Sequence, residues 1–530
     1  MKDQYQVIIV GSGLAGLSAA ARLVEAGQTD IAIVTSGYGG TPYIAALNAV
    51  LTPNPWGDSP EQHALDMFQA GYHVNDTQLV RMMCAAAPRC VELLQRWGVE
   101  FAVKDGKLHR RHASGSKYPR SLCQTTDLLG SQLIAKLREP LIRRGVAFFF
   151  DTLCVNLLVE ENSVRGVTVS DSDGRNARNL YAPVVIAAWG GIGNLFPEST
   201  YPRDIDGRAL AMAYEAGASL IDLEFLEFEP LVSLWPPATK GEPCPTAMLG
   251  EGAYLLNRDE ERFLLKVRPQ GEAGSPKTLI NQAIWRELAA GKGSSHGGVY
   301  VDLRHIPVQV LKGYPWFYNR VSEAGLDLTV ELLEVGPVAH SYSGGMKVGP
   351  DYQTSVRGLF AIGEAMGGIH GACRLAGNAA TQALVSGILG AEGILGGSFQ
   401  SVRLPIRQPD YWMNRQEQQK VIAGVREIVG KTLGAQRNQA GLAEGALRIQ
   451  EILDRPELQA DTLARQTAWS ARLMLKSATL RRESRGSHFR SDYPELDVQW
   501  QCSIALSRGA DDDICWEIIQ RCPPPDSQDN

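Results

Sequence analysis

The stretch YQVIIVGSGLAG, residues 5–16, decides the fold of this chain. Its apolar run, Val7 to Val10, predicts a short buried strand that leads into a glycine turn with the spacing GxGxxG. Gly11 permits the turn, Gly13 lets the backbone approach a pyrophosphate, and Gly16 lets the next helix pack closely on the strand. The stretch predicts a dinucleotide site, and the alternative is a bare tight turn.

The sequence after the turn favours the dinucleotide interpretation. An Ala-rich helix, Leu17 to Ala26, directs its N-terminal amides at the phosphates, and a second strand, Ile31 to Thr35, follows it. An acid usually stands after this strand to hold the ribose, but Thr35 and Ser36 stand here. The small-residue segment Gly37 to Val50 would lie against the cofactor, or it is a plain loop. The predicted contacts in these stretches are Gly11, Ser12, Gly13, Ala15, Gly16, Ser36, Gly40 and Thr41.

Composition limits the class of protein. The chain has 530 residues, 44% of them hydrophobic and 21% charged, so we expect two or three domains and a large core. A net charge of −6 implies no attraction to nucleic acid, and we expect neither a transmembrane segment nor a signal peptide. Nine scattered cysteines without CxxC favour reduced thiols in a cytoplasmic protein and indicate no metal site.

The next segments predict alternating helices and strands. We expect two helices in Pro60 to Arg96, a hairpin in Val99 to Leu108 and a helix in Leu128 to Arg144. The basic loop His109 to Arg120 either neutralises an acidic substrate or is simply solvated. A meander is expected from the strands Val146 to Asp151, Cys154 to Glu160 and Val164 to Ser170, with a turn at Asp171 to Arg175.

Two later glycine turns predict further contacts with the same cofactor. The first ends the buried strand in Tyr181 to Gly193, and the second follows the strand in Gly358 to Ala365. Asp206 opens the helix Arg208 to Ala216, where it is either a cofactor contact or an N-cap. Arg374 is a carboxylate binder if it faces a pocket, and a structural salt bridge otherwise. The predicted contacts are Ala188, Gly190, Gly191, Asp206, Gly363, Glu364, Arg374, Asn378 and Ala379.

The remaining sequence divides the chain. The strand-like run Leu220 to Pro230 is expected to end at Glu229, before Pro230, and a segment richer in Pro, Gly and charge follows it. Gln416 to Arg481 shows helical periodicity, and the tail from Asp511 is expected to be disordered. The fold class is α/β: a Rossmann-like domain in two parts (1–230 and 336–400), an inserted α+β capping domain (231–335), and a C-terminal helical region with a tail (401–530).

The motifs, taken together, resemble those of the flavoprotein family of succinate dehydrogenase, fumarate reductase and L-aspartate oxidase. The layout of the chain is closest to L-aspartate oxidase. Matching segments occur in family order along the whole chain: GSGLAG, AAWGG, DGRALAMAYEAGA, LEFLEFEP, GEGAYL, AHSYSGG, GLFAIGEA, HGACRLAGNAA and RRESRGSH. The resemblance implies FAD as the cofactor and hydride transfer at flavin N5. No histidine lies between Met1 and Pro60, where the family attaches FAD covalently, so non-covalent FAD is expected.

The resemblance weakens at the substrate site. His340 and Arg374 match the family's carboxylate-binding histidine and arginine, and Lys277 aligns with its proton-transferring arginine. Glu229 stands where the family has a histidine, while Thr246 and Leu249 replace a glutamate and an arginine. These changes remove positive charge, so a standard dicarboxylate is disfavoured. A substrate with one carboxylate, and an amine held by Glu229, fits better.

Four functions remain open. The leading one is an FAD-dependent oxidoreductase that acts on a small carboxylate-bearing substrate. The second is L-aspartate oxidase, or fumarate reductase or succinate dehydrogenase activity. The third is a flavoprotein subunit that relays electrons to an iron–sulfur or other redox partner, and the fourth is a non-catalytic flavin-binding or assembly protein.

Overall fold

The computed structural model describes residues 2–113, 115–124, 128–171, 176–399, 415–510 and 513–521. Its centre is a five-stranded parallel sheet. In spatial order the strands are Leu359–Ala361, Val184–Ala187, Val7–Val10, Ile31–Val34 and Ala147–Phe149. All of these strands except Ala147–Phe149 are buried throughout, as expected where both faces of a parallel sheet are covered.

Helices rich in small side chains pack beside this sheet. Leu14–Glu25 lies against Asn378–Leu395 and against Leu129–Arg143, and Thr77–Arg96 also packs on Asn378–Leu395. A Cβ on Gly387 would lie 2.5 Å from the Ala15 carbonyl oxygen, so glycine sets the distance between the first two helices. The helix Pro60–Ala70, which Ser59 caps, packs on Thr77–Arg96.

Two small antiparallel sheets and a hairpin are formed by segments between residues 46 and 181. A three-stranded sheet consists of Thr152–Glu160, Ser163–Asp171 and Arg178–Tyr181. A second consists of Ala46–Asn48, Ser121–Cys123 and Arg110–Arg111, and a hairpin pairs Val103–Lys104 with Lys107–Leu108. The hairpin confirms the prediction for that segment.

The predicted meander was wrong in one strand. Ala147–Phe149 pairs in parallel with Ile31–Val34, so it closes the central sheet instead of starting the meander. The meander consists of the three strands named above, with Arg178–Tyr181 as its third. The predicted turn at Asp171 to Arg175 lies outside the described residues after Asp171.

A second hydrophobic core lies within residues 231–335. Its sheet runs in the order Leu226–Trp235, Leu333–Tyr342, Val299–Asp302 and Tyr254–Leu256. The associated helices are Lys277–Ala289, Val308–Lys312 and Pro315–Glu323.

The strand predicted to stop at Glu229 continues through Pro230 to Trp235. Its pairing with Leu333–Tyr342 shifts register between Glu229 and Val232. Proline lacks an N–H, and this bulge takes it out of the ladder, so the strand loses no bond there.

The C-terminal part confirms the helical periodicity predicted for Gln416 to Arg481 and contains a feature that the sequence reading missed. The helices are Arg415–Thr432, Gln439–Leu453 and Thr462–Leu480, and Ala209–Glu215 packs on the last of them. The sequence after them supplies two strands to a sheet whose order is Gly345–Met346, Leu220–Ile221, Cys502–Arg508 and Ile514–Gln520. The prediction of a disordered tail from Asp511 is therefore wrong for Ile514–Gln520. Within the described residues, no helix has both the length and the apolar character needed to cross a bilayer.

Candidate active site

A cavity of about 590 Å³ opens where the strands of the central sheet end. The turns that follow Val10, Val34, Ala187 and Ile362 all contribute to its wall, and so does the loop before Asn378. Ligands in open α/β sheets bind outside the carboxyl ends of the strands, and the volume is typical of a small-molecule site.

The first glycine turn is shaped by close backbone approach. Gly11 has φ +113°, and a Cβ there would lie 2.2 Å from the Ala188 carbonyl oxygen, so no other residue fits. Gly13 faces the cavity, where an added Cβ would meet the Thr41 hydroxyl at 3.0 Å. The backbone of this turn is therefore open to a ligand in the way that the GxGxxG spacing predicts.

Most of the predicted cofactor contacts lie on this wall. They are Gly11, Ser12, Gly13, Ala15, Ser36, Gly40, Thr41, Ala188, Gly190, Gly191, Asp206, Gly363, Glu364, Arg374 and Ala379.

Gly16 and Asn378 lie behind the wall, and the structure does not place them at the cavity. A Cβ on Gly16 would lie 2.1 Å from the Gly11 carbonyl oxygen, which fits its predicted role in helix packing. The Asn378 side chain faces inward, where its Oδ1 lies 2.8 Å from Asn48 Nδ2 and 3.0 Å from His63 Nε2.

An acid does reach the turn after the second strand, although the local sequence contains none. Asp204 Oδ2 accepts a hydrogen bond from the Gly39 N–H at 2.8 Å, and Asp204 lies on the cavity wall. Thr35 is used internally instead, since its hydroxyl bonds to Ser12 Oγ at 2.8 Å and to the Gly37 carbonyl. Asp204 is distant in sequence from the second strand, so no local spacing could have revealed it.

Asp206 is not the N-cap of the following helix, because Arg208 occupies that position and no side chain caps the helix. Its carboxylate accepts hydrogen bonds from the Arg208 N–H at 3.2 Å and from Arg208 Nε at 2.7 Å, just before the helix Ala209–Glu215. It also lies on the cavity wall.

Glu364 is buried at the wall and is held by the protein. Its Oε1 accepts hydrogen bonds from the Tyr201 hydroxyl and, at 2.9 Å, from the Tyr342 N–H. Burial raises the pKa of the Glu364 carboxyl, and these bonds oppose the rise. The Glu364 side chain therefore ties Tyr201 and the Tyr342 backbone to the turn that follows Ile362.

The basic loop contains residues on the cavity wall and one residue that fits neither of the two roles considered for the loop. Arg111 and His112 lie on the cavity wall. Arg120 is buried, with bonds of 2.7 and 2.9 Å to Asp58 and of 2.7 Å to Asp66, so its role is structural.

His340 and Arg374 lie together on the cavity wall. His340 Nδ1 bonds to Thr200 Oγ1 at 2.9 Å. The Arg374 guanidinium donates to Ser341 Oγ at 2.8 Å, while the Arg374 backbone N–H donates to Glu227 Oε1 at 2.6 Å. Arg374 makes no ion pair within 4 Å with any residue that the structure describes, although its charge acts on the buried carboxyls of Glu227 and Glu364.

Glu229 and Lys277 form an ion pair next to these residues, but they do not line the cavity. Lys277 Nζ donates to Glu229 Oε2, which lies 3.7 Å from His340 Nε2. Leu249, at the position of the family's arginine, is buried in the second hydrophobic core. The sequence reading treated Glu229 as a free negative charge; the structure shows that Lys277 compensates it.

Burial shifts the pKa values of His340 and Glu227. Loss of hydration lowers the pKa of His340 to about 4; the nearby Glu229 charge opposes this effect, and the charges of Lys277 and Arg374 add to it. The imidazole is thus neutral at neutral pH. Burial also raises the pKa of the Glu227 carboxyl, and Arg374 opposes that rise.

The loop that carries Arg374 is supported by the C-terminal part of the chain. The Ala372 carbonyl accepts hydrogen bonds from the Ser487 N–H at 3.0 Å and from Ser487 Oγ at 2.9 Å. A Cβ on Gly486, which has φ +54°, would lie 2.5 Å from the same oxygen.

His370 is a further wall residue that the sequence reading missed, although it lies in a quoted motif. His370 is buried, bonds to Gln382 Oε1 at 2.8 Å through Nε2, and has no partner for Nδ1 among the described residues. A buried polar atom without a partner on a cavity wall fits a site that is completed by a polar ligand. The exposed glycine turn and this atom both fit FAD.

Comparison with known proteins places this site in a family. Residues 6–380 match the family described as "FAD binding domain", and residues 423–518 match "Fumarate reductase flavoprotein C-term". The fold and the site therefore define an FAD-dependent oxidoreductase. The chain belongs to the flavoprotein family of succinate dehydrogenase, fumarate reductase and L-aspartate oxidase, as its motifs predicted.

Individual relatives extend over nearly the whole chain. One subunit of the fumarate reductase (CoM/CoB) of Methanothermobacter marburgensis is 32% identical, covering 95% of this chain and 97% of its own. L-aspartate oxidase of Mesorhizobium japonicum is 34% identical, covering 93% and 92%. The solved structure of Mycobacterium smegmatis Sdh1 in complex with UQ1 is 28% identical, with a TM-score of 0.86 over 98% of this chain and 95% of that chain.

Proposed function

We propose that this enzyme oxidises or reduces a small substrate that carries one carboxylate next to the reacting bond. The observation that supports it most is the local charge. The charged groups that act on His340 are Glu229, Lys277 and Arg374, and two of them neutralise each other. With a neutral imidazole, Arg374 is the one cation of this group that is not in an ion pair, and the buried Glu227 and Glu364 carboxyls near it supply no further positive charge, which favours a substrate with a single carboxylate.

The residues have separate tasks in this proposal. Arg374 binds the carboxylate, and Ser341 orients its guanidinium. Lys277 and Glu229 share a proton at their contact, and because they do not line the cavity, that proton reaches the substrate through His340, whose Nε2 lies 3.7 Å from Glu229 Oε2. FAD, when bound, supplies the hydride acceptor or donor at N5. The sequence analysis expected Glu229 to hold an amine of the substrate. The ion pair disfavours this role, because the ammonium group of Lys277 already binds Glu229.

The test is an anaerobic substrate panel with the purified holoenzyme. We expect monocarboxylates to bleach the flavin faster than succinate or aspartate. In Glu229→Gln, Lys277 becomes an unpaired cation, so the inhibition constant for succinate should fall about tenfold. The exposed pair of Glu427 and Lys431 offers a control of equal charge change, Glu427→Gln, which should leave that constant unchanged. Rapid bleaching of the wild type by aspartate or succinate would contradict the proposal.

FAD is held non-covalently in this proposal. The small-residue segment after the second strand contains no histidine, and Thr41 and Tyr43 are among its residues on the cavity wall. Acid precipitation should therefore release the flavin into the supernatant. Yellow pellets would contradict this and would direct attention to the histidines on the wall.

A second candidate is a flavoprotein subunit that passes its electrons to a partner protein. It is favoured by the relative that is one subunit of a fumarate reductase, which this chain matches over 97% of the relative's length. If it holds, reduced holoenzyme reoxidises slowly in air and rapidly with a one-electron dye. Fast reoxidation by dioxygen would favour an oxidase instead.

A further inference from the structure

His370 is a buried imidazole on the cavity wall for which the proposed reaction has no task. Only 3% of its surface is exposed, and it lies four residues before Arg374 on the same loop. Among the wall residues that the structure describes, it alone has a buried side-chain nitrogen or oxygen without a hydrogen-bond partner, namely Nδ1. Such an atom costs free energy unless a ligand or a water completes it.

The surrounding hydrogen bonds determine the tautomer. Gln382 Nε2 donates to the Gly363 carbonyl at 3.0 Å, which assigns the other amide atom, Oε1, as the acceptor. Oε1 lies 2.8 Å from His370 Nε2, so Nε2 carries the proton. Nδ1 therefore presents a lone pair, and its partner must be a donor.

The environment also keeps the ring neutral. Burial lowers the pKa of His370 to about 3, and the nearby Arg374 charge adds to this effect. An acceptor at Nδ1 is therefore present over the whole physiological pH range.

We propose that His370 Nδ1 accepts a hydrogen bond from an N–H group of the flavin ring or from a ribityl hydroxyl of FAD. The inference depends on FAD as the cofactor and not on the identity of the substrate. Arginine, lysine and backbone N–H groups are all hydrogen-bond donors and cannot bind a donor group of the cofactor. The acceptor at His370 Nδ1 can bind such a group. Reduction adds N–H groups to the flavin ring, so a contact there would favour the reduced cofactor.

The experiment measures FAD binding instead of turnover. Apoprotein of the wild type and of His370→Leu is titrated with oxidised FAD, and anaerobically with reduced FAD, by flavin fluorescence. We expect binding to weaken about tenfold, as for the loss of one buried hydrogen bond. An equal loss for both forms identifies a donor that both contain, and a larger loss for reduced FAD identifies a donor created by reduction.

His73→Leu is the matched control, because His73 also has an unpartnered buried Nδ1 but does not line the cavity. It should bind FAD like the wild type. A second measurement needs no substitution: the ¹⁵N resonance of His370 Nδ1 in wild-type protein should shift when FAD is added. Wild-type affinity of His370→Leu for both forms of FAD, or an Nδ1 resonance that FAD does not move, would overturn the proposal.

Discussion

At the scale of single residues, the ionic state of the site follows from which charges are paired. Lys277 and Glu229 neutralise each other, whereas Arg374 has no ionic partner among the described residues. Both facts concern contacts between segments far apart in the chain. Residue types and motif positions predicted that His340 and Arg374 meet, because they occupy positions known from the family. The pairing of Glu229 with Lys277 was not predictable, because it depends on the side-chain geometry of two distant segments.

Arg374→Lys should lower kcat/KM about 100-fold while FAD remains bound. A lysine keeps the charge but loses the planar fork that binds a carboxylate through two hydrogen bonds. The measurement is steady-state kinetics on the substrate found by the panel, with flavin absorbance as the check on FAD content. The exposed Arg357→Lys is the control and should be neutral. Unchanged kcat/KM in Arg374→Lys would mean that the carboxylate binds elsewhere.

At the scale of secondary-structure elements, most of the sequence reading was confirmed where periodicity and turns agree. The four predicted strands that lead into the cavity turns and the helical region from Gln416 to Arg481 show this. The failures have separate causes. Pro230 was taken as a strand end because a bulge cannot be read from one strand alone. Ile514–Gln520 pairs with the neighbouring strand Cys502–Arg508, but the acidic residues Asp511 to Asp513 between them were taken as the start of a tail.

The helix Thr462–Leu480 ends in a buried ionic cluster that joins it to the strand region before Leu226. Arg481 Nε lies 2.6 Å from Glu224 Oε1, and the side chains of both residues are fully buried. Ser477 Oγ bonds to the same carboxylate at 2.5 Å. This cluster attaches the end of the helix Thr462–Leu480 to the segment that precedes the strand Leu226–Trp235.

Arg481→Leu should lower the free energy of unfolding by about 3 to 5 kcal/mol, because it leaves Glu224 buried without its cation. Urea denaturation measures the effect. Lys431→Leu breaks an exposed pair in the same helical region and should have little effect. Equal losses in the two variants would show that the Glu224 site admits water.

At the scale of the whole molecule, several buried groups hold protonation states that differ from those of the unfolded chain. Burial lowers the pKa of His63 to about 4 and raises that of Asp222 to about 7. Their effects on the pH dependence of stability have opposite signs. Between pH 6.5 and 4, His63 stays unprotonated in the folded protein although it binds a proton in the unfolded chain. Asp222 keeps its proton in the folded protein up to about pH 7, although it loses it at lower pH in the unfolded chain.

The contribution of His63 can be isolated by substitution. Between pH 6.5 and 4 the unfolded imidazole binds a proton that the folded one does not, so wild-type stability decreases there as the pH falls. In His63→Gln this contribution is absent, and the slope should decrease by up to about 1.4 kcal/mol per pH unit. Urea denaturation at about pH 5, 6 and 7.5 provides the comparison. Identical slopes in both proteins would place a proton on the folded His63.

The support of the Arg374 loop by Ser487 has a practical meaning for anyone who shortens or divides this gene. A product that stops near residue 400 would lack more than a peripheral region, since it would release the Ala372 carbonyl and strip the Glu224 carboxylate of its counter-ion. Such truncations should yield insoluble protein without flavin. Reporter insertions and split sites belong instead at the exposed hairpin turn of Asp105 and Gly106, far in the chain from both attachments.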